Sequence, residues 1–221
     1  MILSGQVIVN GNCIRNPAYR VNPEKDEVIV QGNPISTAFV PTYIMLNKPR
    51  GYITTAKDEK GRETVYKLVH PPVRVFPVGR LDRDSEGLLL MTNDGELAYR
   101  LTHPRYQIKK KYLVYLNHSV LPEQVRAFST GIRLGRGPVV KGEIRFPHPG
   151  DRKTCLVTIT EGKYRQIRRM FAALGLRVKY LQRIAIGPIE LKDLPVGSWR
   201  YLTEKEITML RQLVGLTNGN Q

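Results

Sequence analysis

Over the first forty residues, apolar and polar positions alternate in short runs. Gln6-Val7-Ile8-Val9 reads as a strand and meets Asn10-Gly11, a dipeptide suited to a tight hairpin turn. Glu27-Val28-Ile29-Val30 reads as a second strand, closed by Gly32-Asn33-Pro34. The pattern then changes. Pro41-Thr42-Tyr43-Ile44-Met45-Leu46-Asn47-Lys48-Pro49 starts a longer strand that ends in a Lys-Pro-Arg-Gly turn. A boundary near residue 40 therefore divides a small β-rich module, 1–40, from a larger segment, 41–221.

The larger segment mixes strands and helices. Val73-Arg74-Val75-Phe76 leads into a glycine-bounded turn, and Leu88-Leu89-Leu90-Met91 follows it. Further strands are expected at Tyr112–Leu116, Thr154–Thr160, around 178–186 and at Trp199–Leu202. Asn93-Asp94-Gly95-Glu96 caps a helix carrying Leu97 and Leu101. Pro122 opens a short helix that Gly131 closes. Another helix runs from about Tyr164 to Leu174, with Gly175 as its terminating residue. Thr203-Glu204-Lys205-Glu206 matches a capping box, and Ile207, Leu210 and Val214 share one face of the last helix. Strands and helices without a regular βαβ alternation predict an α+β fold.

Charge narrows the function. The 221 residues carry a formal net charge of +16. In 1–40, Arg15, Arg20 and Lys25 balance Glu24, Asp26 and Glu27, so the whole excess lies in 41–221. It is interleaved with structured segments, which predicts a folded basic surface and an anionic partner. No apolar run approaches the ~20 residues that span a bilayer, and no signal peptide is visible. Cys13 and Cys155 are isolated and the four histidines lack ligand spacing, so no structural metal and a reduced, cytoplasmic setting are expected. No P-loop or dinucleotide fingerprint points to a nucleotide cofactor. A DNA-binding regulator fits poorly without a helix-turn-helix pattern or zinc spacing.

Three segments carry candidate chemistry. Gly79-Arg80-Leu81-Asp82-Arg83-Asp84-Ser85-Glu86-Gly87 sets Asp82 between Arg80 and Arg83 ahead of an apolar strand. Such a carboxylate suits a nucleophile or general base in an RNA cleft. A turn aspartate bonded to nearby backbone is the commoner role, and Asp84 and Glu86 compete for the part. In the second segment, Lys163, Arg165, Arg168 and Arg169 crowd the start of a helix whose buried stripe is Ile167, Met170, Phe171 and Leu174. Cations there oppose the helix dipole unless an anion or carboxylate compensates. Seven Lys or Arg against one acid between 161 and 183 favour a phosphate-facing surface over a merely solvated face. In the third, Lys109-Lys110-Lys111-Tyr112 sets an aromatic beside cations, as flipped bases require. Alone it could equally guard a sheet edge.

In order, these segments and the opening Met45-Leu46-Asn47-Lys48-Pro49-Arg50-Gly51 resemble the motifs of RsuA-like pseudouridine synthases across essentially all of 41–221. The resemblance implies a mixed, largely antiparallel sheet with flanking helices and a cofactor-free isomerisation of a uridine in ribosomal RNA, with the large subunit favoured. It makes Asp82 the catalytic aspartate, Arg168 its basic partner and Tyr112 the residue packed on the target base. Arg80 would fill the stack left by the flipped nucleotide, and the neighbouring cations would contact RNA. Val7-Ile8-Val9-Asn10-Gly11 and Val21-Asn22-Pro23 resemble the later half of an S4-type RNA-binding domain. Its preceding helices are missing, so the module is expected to be truncated and a weak RNA binder by itself. A monomer is expected. The competing reading is a non-catalytic RNA-binding factor in ribosome assembly, for which Asp82 would be dispensable.

Overall fold

Two local turns organise the N-terminal residues. In the computed structural model, which describes residues 1–22, 25–35, 39–56 and 58–216, β1 (Val7–Val9) and β2 (Asn12–Ile14) flank Asn10-Gly11, with φ of 49° and 79°. β3 (Val28–Val30) and β4 (Asn33–Ile35) flank Gln31-Gly32, with φ of 53° and 80°. Two successive positive φ angles define the turn whose twist matches paired strands. The four strands order β2-β1-β3-β4, all antiparallel. Asn33-Pro34 thus belongs to a strand rather than closing one. Proline is tolerated because β4 lies at the sheet edge, where a missing N–H breaks no ladder. Pro23, part of the S4-like motif, lies outside the described residues.

The chain divides into two units, Met1–Pro41 and Thr42–Gln221. The second holds β5 (Tyr43–Lys48), β6 (Phe76–Pro77), β7 (Glu86–Thr92), β8 (Lys110–Leu116), β9 (Ile132–Arg133), β10 (Val139–Val140), β11 (Glu143–Arg145), β12 (Thr154–Ile159), β13 (Val178–Ile186), β14 (Ile189–Glu190) and β15 (Trp199–Tyr201). Its helices are α1 (Gly95–Thr102), α2 (Pro122–Thr130), α3 (Gln166–Ala173) and α4 (Glu204–Leu213). The main sheet runs β11-β12-β8-β13-β7-β5-β15, with β14 on β13 and β6 on β7. It is antiparallel except where β13 meets β7 in parallel, as the α+β reading anticipates.

Strands β5 and β7 are buried on both faces, which explains their unbroken apolar runs. Ile44, Leu46, Leu89 and Met91 pack with Ile167, Met170 and Phe171 of α3. Tyr43, Met45, Leu88 and Leu90 face the other way, against Leu97 and Leu101 of α1 and Leu210 of α4. Each such leucine contributes roughly 1.5–3 kcal/mol by burial. The helix ends follow their caps. Asp94 accepts from the Leu97 N–H, Thr203 and Glu206 form the capping box, Gly131 ends α2, and Gly175 after α3 has φ 76°.

One glycine permits the parallel contact. Gly87 has φ 107°, and a Cβ there would lie 2.3 Å from the Arg183 carbonyl oxygen and 2.8 Å from its nitrogen. Only glycine lets β7 approach β13 so closely, directly after the Asp82 turn.

Candidate active site

The turn from Asp82 to Ser85 closes by donation from the Ser85 N–H to the Asp82 carbonyl at 3.1 Å. It is fixed from below and from one side. Lys48, at 0% exposure, donates Nζ to the carbonyls of Ser85 at 2.8 Å and Pro49 at 3.0 Å. Thr54 Oγ1 donates to the Leu81 carbonyl and accepts from the Leu81 N–H. The Gly51 N–H donates to the Arg83 carbonyl at 2.8 Å. Burial pushes the Lys48 ammonium down to about 8, against the opposing pull of the Asp82 and Asp84 carboxylates. Lysine thereby serves the turn as a buried donor, a role its position in an apolar strand does not announce.

Asp82 and Asp84, two residues apart on this turn, face different spaces. Asp82 lines a cavity of about 270 Å³ together with Arg80, Lys110, Tyr112, Leu181 and Arg183. It also lines an adjoining recess of about 550 Å³ that includes Arg80, Arg83, Tyr164 and Arg165. Asp84 lines a third, with Arg165 and Arg168. Among the described residues, the Asp82 carboxylate makes no ion pair within 4.0 Å and no hydrogen bond. Its pKa is raised above the ordinary 3.8, first by burial and also by Asp84, while Arg165, Arg168 and Arg80 pull it down.

The expected Asp82–Arg168 pair is therefore replaced by another. Arg165 donates Nη1 and Nη2 to Asp84 Oδ1 and Oδ2 at 2.7 and 2.8 Å. Arg168 Nε lies 3.3 Å from Asp84 Oδ2, too poorly aligned to be a hydrogen bond, and its Nη2 donates to the Asp84 carbonyl at 2.9 Å. The cause is the turn, which sends Asp82 and Asp84 to opposite sides. α3 also starts two residues later than its sequence predicts, because Arg165 takes the left-handed conformation at φ 47°. That conformation costs roughly 1–2 kcal/mol. It brings the Arg165 guanidinium back onto Asp84, whose pKa falls because of that hydrogen bond. Asp84 is thus the compensating carboxylate that the cationic helix start called for.

The three lysines of 109–111 do not act alike. Alternation along β8 turns Lys110 and Tyr112 inward and Lys111 out. Tyr112, at 7% exposure, belongs to the core and presents itself to the first cavity. Lys110 lines the first cavity, and its Nζ donates to the carbonyls of Ile108 and Thr160 at 3.1 and 3.3 Å. Burial, helped by Arg183, brings its pKa down to about 8. Lys109 and Lys111 are exposed and line none of the three spaces. Lys163 lines the first cavity and pairs with Glu161 at 2.8 Å. Arg169 stands apart from all three and donates to the Leu134 carbonyl.

Sequence reasoning missed Arg183. It is 3% exposed, registers beside Tyr112, donates Nε to the Leu88 carbonyl at 2.7 Å and leaves Nη2 without a partner. The available signal was its place two residues after Leu181, in the buried register of β13. Among the described residues, no three His, Cys, Asp or Glu side chains could hold a metal ion, and no helix is long and apolar enough to cross a membrane.

Residues 42–173 match the RNA pseudouridylate synthase family. An uncharacterised RNA pseudouridine synthase of Aquifex aeolicus is 43% identical over 98% of this chain and 88% of its own length. The ribosomal small subunit pseudouridine synthase A of Escherichia coli is 39% identical over 93% of this chain and 89% of its own. A crystal structure of a pseudouridylate synthase superposes with a TM-score of 0.73 at 34% identity, covering 95% of this chain and 90% of that one.

Proposed function

The chain belongs to the RNA pseudouridylate synthase family, and on that footing we propose that it converts a uridine of ribosomal RNA to pseudouridine using Asp82 and no cofactor. Family membership makes it an isomerase rather than a non-catalytic assembly factor. The observation that carries the role of Asp82 is its carboxylate: half-buried, unpaired among the described residues, and at the junction of two cavities beside Tyr112.

A stacked uridine must leave the helix before its glycosidic bond can be reached, at a cost of a few kcal/mol. Contacts of Arg80, Arg83, Lys163 and Arg165 with phosphates offset that cost. Arg80 also fills the gap in the RNA stack. Within the first cavity Tyr112 packs on the uracil. Asp82 acts as nucleophile at C1′ or C6, or removes a proton from the sugar; each route begins from the ionised carboxylate. Arg165, Arg168 and Arg80 favour that form without clamping it, so its oxygens stay available. The detached uracil turns and rejoins through C5, with no net oxidation and no external group. Lys110 and the free Nη2 of Arg183 supply donors for the uracil carbonyls.

The large ribosomal subunit is the substrate anticipated from sequence; the small subunit is the second reading, favoured by the 39% identity with the E. coli enzyme. We assign the two hairpins of the first unit to the β half of an S4-like RNA-binding module, in keeping with their turn geometry. The protein acts as a monomer in the cytoplasm. Tritium release from C5-labelled uridine in 16S and 23S RNA transcripts tests the reading. Asp82→Asn should lose roughly 10⁴-fold or more in rate while filter binding persists. Retained turnover in that variant would remove Asp82 from the chemistry.

A further inference from the structure

On the far side of the Asp82 turn lies a space the reaction does not use. Arg50, Asp84, Arg165, Arg168, Arg177 and Lys179 border a cavity of about 400 Å³. Five cations meet one carboxylate there. Asp84 is taken up by Arg165 and Arg168, and Arg50 donates to its backbone carbonyl at 3.2 Å. Arg177 and Lys179 are exposed and make no ion pair among the described residues. Like charges gathered this closely repel one another, and an anion on the recess relieves that repulsion.

Arg50 also belongs to an aromatic cluster. Its guanidinium lies 5.8 Å from the ring centroid of Tyr180. Tyr180 stacks on Tyr115 of the neighbouring strand, with centroids 5.4 Å apart and planes 28° from parallel. The Tyr180 hydroxyl donates to Glu86 Oε1 at 2.5 Å, which fixes the ring. Tyr115 remains 41% exposed. Strand alternation sets it on the face of β8 opposite Tyr112, so it has no part in the first cavity. Cations alone would accept any anion. A rigid, exposed aromatic joined to this cationic recess through Tyr180 and Arg50 fits an anion that also carries a flat ring, which is an unpaired nucleotide.

We infer that this face is a second RNA contact, where a nucleotide outside the target uridine stacks on Tyr115 and Arg50, Arg177 and Lys179 hold the adjacent phosphates. The inference rests on the RNA substrate proposed above. Arg165 lines both the first cavity and this recess, so a strand that follows it passes from one to the other. The surface adds affinity and register, not chemistry.

The test uses the full chain with Arg177→Gln/Lys179→Gln, Tyr115→Ala and Tyr115→Phe variants. Tritium release from labelled 16S and 23S transcripts gives kcat and KM, and filter binding at several salt concentrations gives Kd and its salt slope. The double variant should raise KM and Kd about tenfold and flatten the slope of log Kd by about 1.4, as two phosphates of a single strand require. Tyr115→Ala should weaken binding about tenfold by loss of stacking, and Tyr115→Phe should behave as the parent. The predicted kcat is unchanged in all three. Parental KM, Kd and slope in the double variant and Tyr115→Ala, or a fall in kcat alone, overturns the inference and leaves the enzymatic reading standing. Failure of the parent protein to release tritium from either RNA would sink that reading instead, and the binding slopes would still judge this surface.

Discussion

Arg165 grips Asp84 with both terminal nitrogens, at 2.7 and 2.8 Å, while Asp82, two residues earlier, keeps its carboxylate free of any ion pair among the described residues. The turn thereby divides two duties between two aspartates. One anchors the cationic start of α3 to the loop; the other stays open to substrate.

Asp84→Asn should cost stability, and the cost should be small. The pair is forked, but its side chains are 35% and 40% exposed, enough for solvent to screen it, so about 1 kcal/mol is expected. Urea unfolding at neutral pH measures it. Because Asp84 has a lowered pKa, its contribution is present above the ordinary 3.8 and fades as pH falls through the lower folded value. The parent and Asp84→Asn stabilities should therefore converge in acid; a constant gap would show that charge is not its source.

The pH dependence of turnover should report the same arrangement. Activity requires ionised Asp82, so kcat/KM should fall in acid through an apparent pKa above 3.8. Arg165→Gln removes the largest charge opposing protonation and should move that acid limb to higher pH. Asp84→Asn removes a neighbouring negative charge and should move it lower. Shifts in the same direction for both variants would contradict the electrostatic account.

Lys48 and Lys110 both have folded pKa values near 8, below the ordinary 10.5. Between those values the unfolded chain binds more protons than the folded one, so these two groups make stability rise with pH across the window. Lys110→Met should reduce the slope between pH 8 and 10 in urea titrations. An unchanged slope would place the Lys110 ammonium in water.

Gly87→Ala should be severe. A methyl group 2.3 Å from the Arg183 carbonyl oxygen cannot be accommodated without parting β7 from β13, and φ of 107° penalises any side chain. A loss of about 3 kcal/mol or more is expected, the range of strongly disruptive substitutions. Since Asp82 and Arg183 sit on either side of this contact, turnover should fall in whatever fraction remains folded. Thermal melting and specific activity together decide it; a near-parental melting temperature would refute the close approach.

The sequence alone determined the features that depend on neighbours along the chain. Asn10-Gly11 specifies its turn because adjacent residues must both adopt positive φ. Asp94 and Thr203 cap α1 and α4 by reaching N–H groups three residues on. The apolar runs of β5 and β7 and the apolar stripe of α3 were legible as composition and period, and the structure shows those two strands buried on both faces. Tertiary structure alone decided the pairing of charges. Arg165 and Asp84 are 81 residues apart, and which of two nearby aspartates meets the helix depends on a turn's direction and one left-handed residue. The inward Lys110, the buried Arg183 and the proline-bearing edge strand β4 likewise depend on what lies across the sheet or at its margin. Local propensity sets where an element starts and which face it buries, but the strand or loop that packs against that face determines what a charged side chain touches.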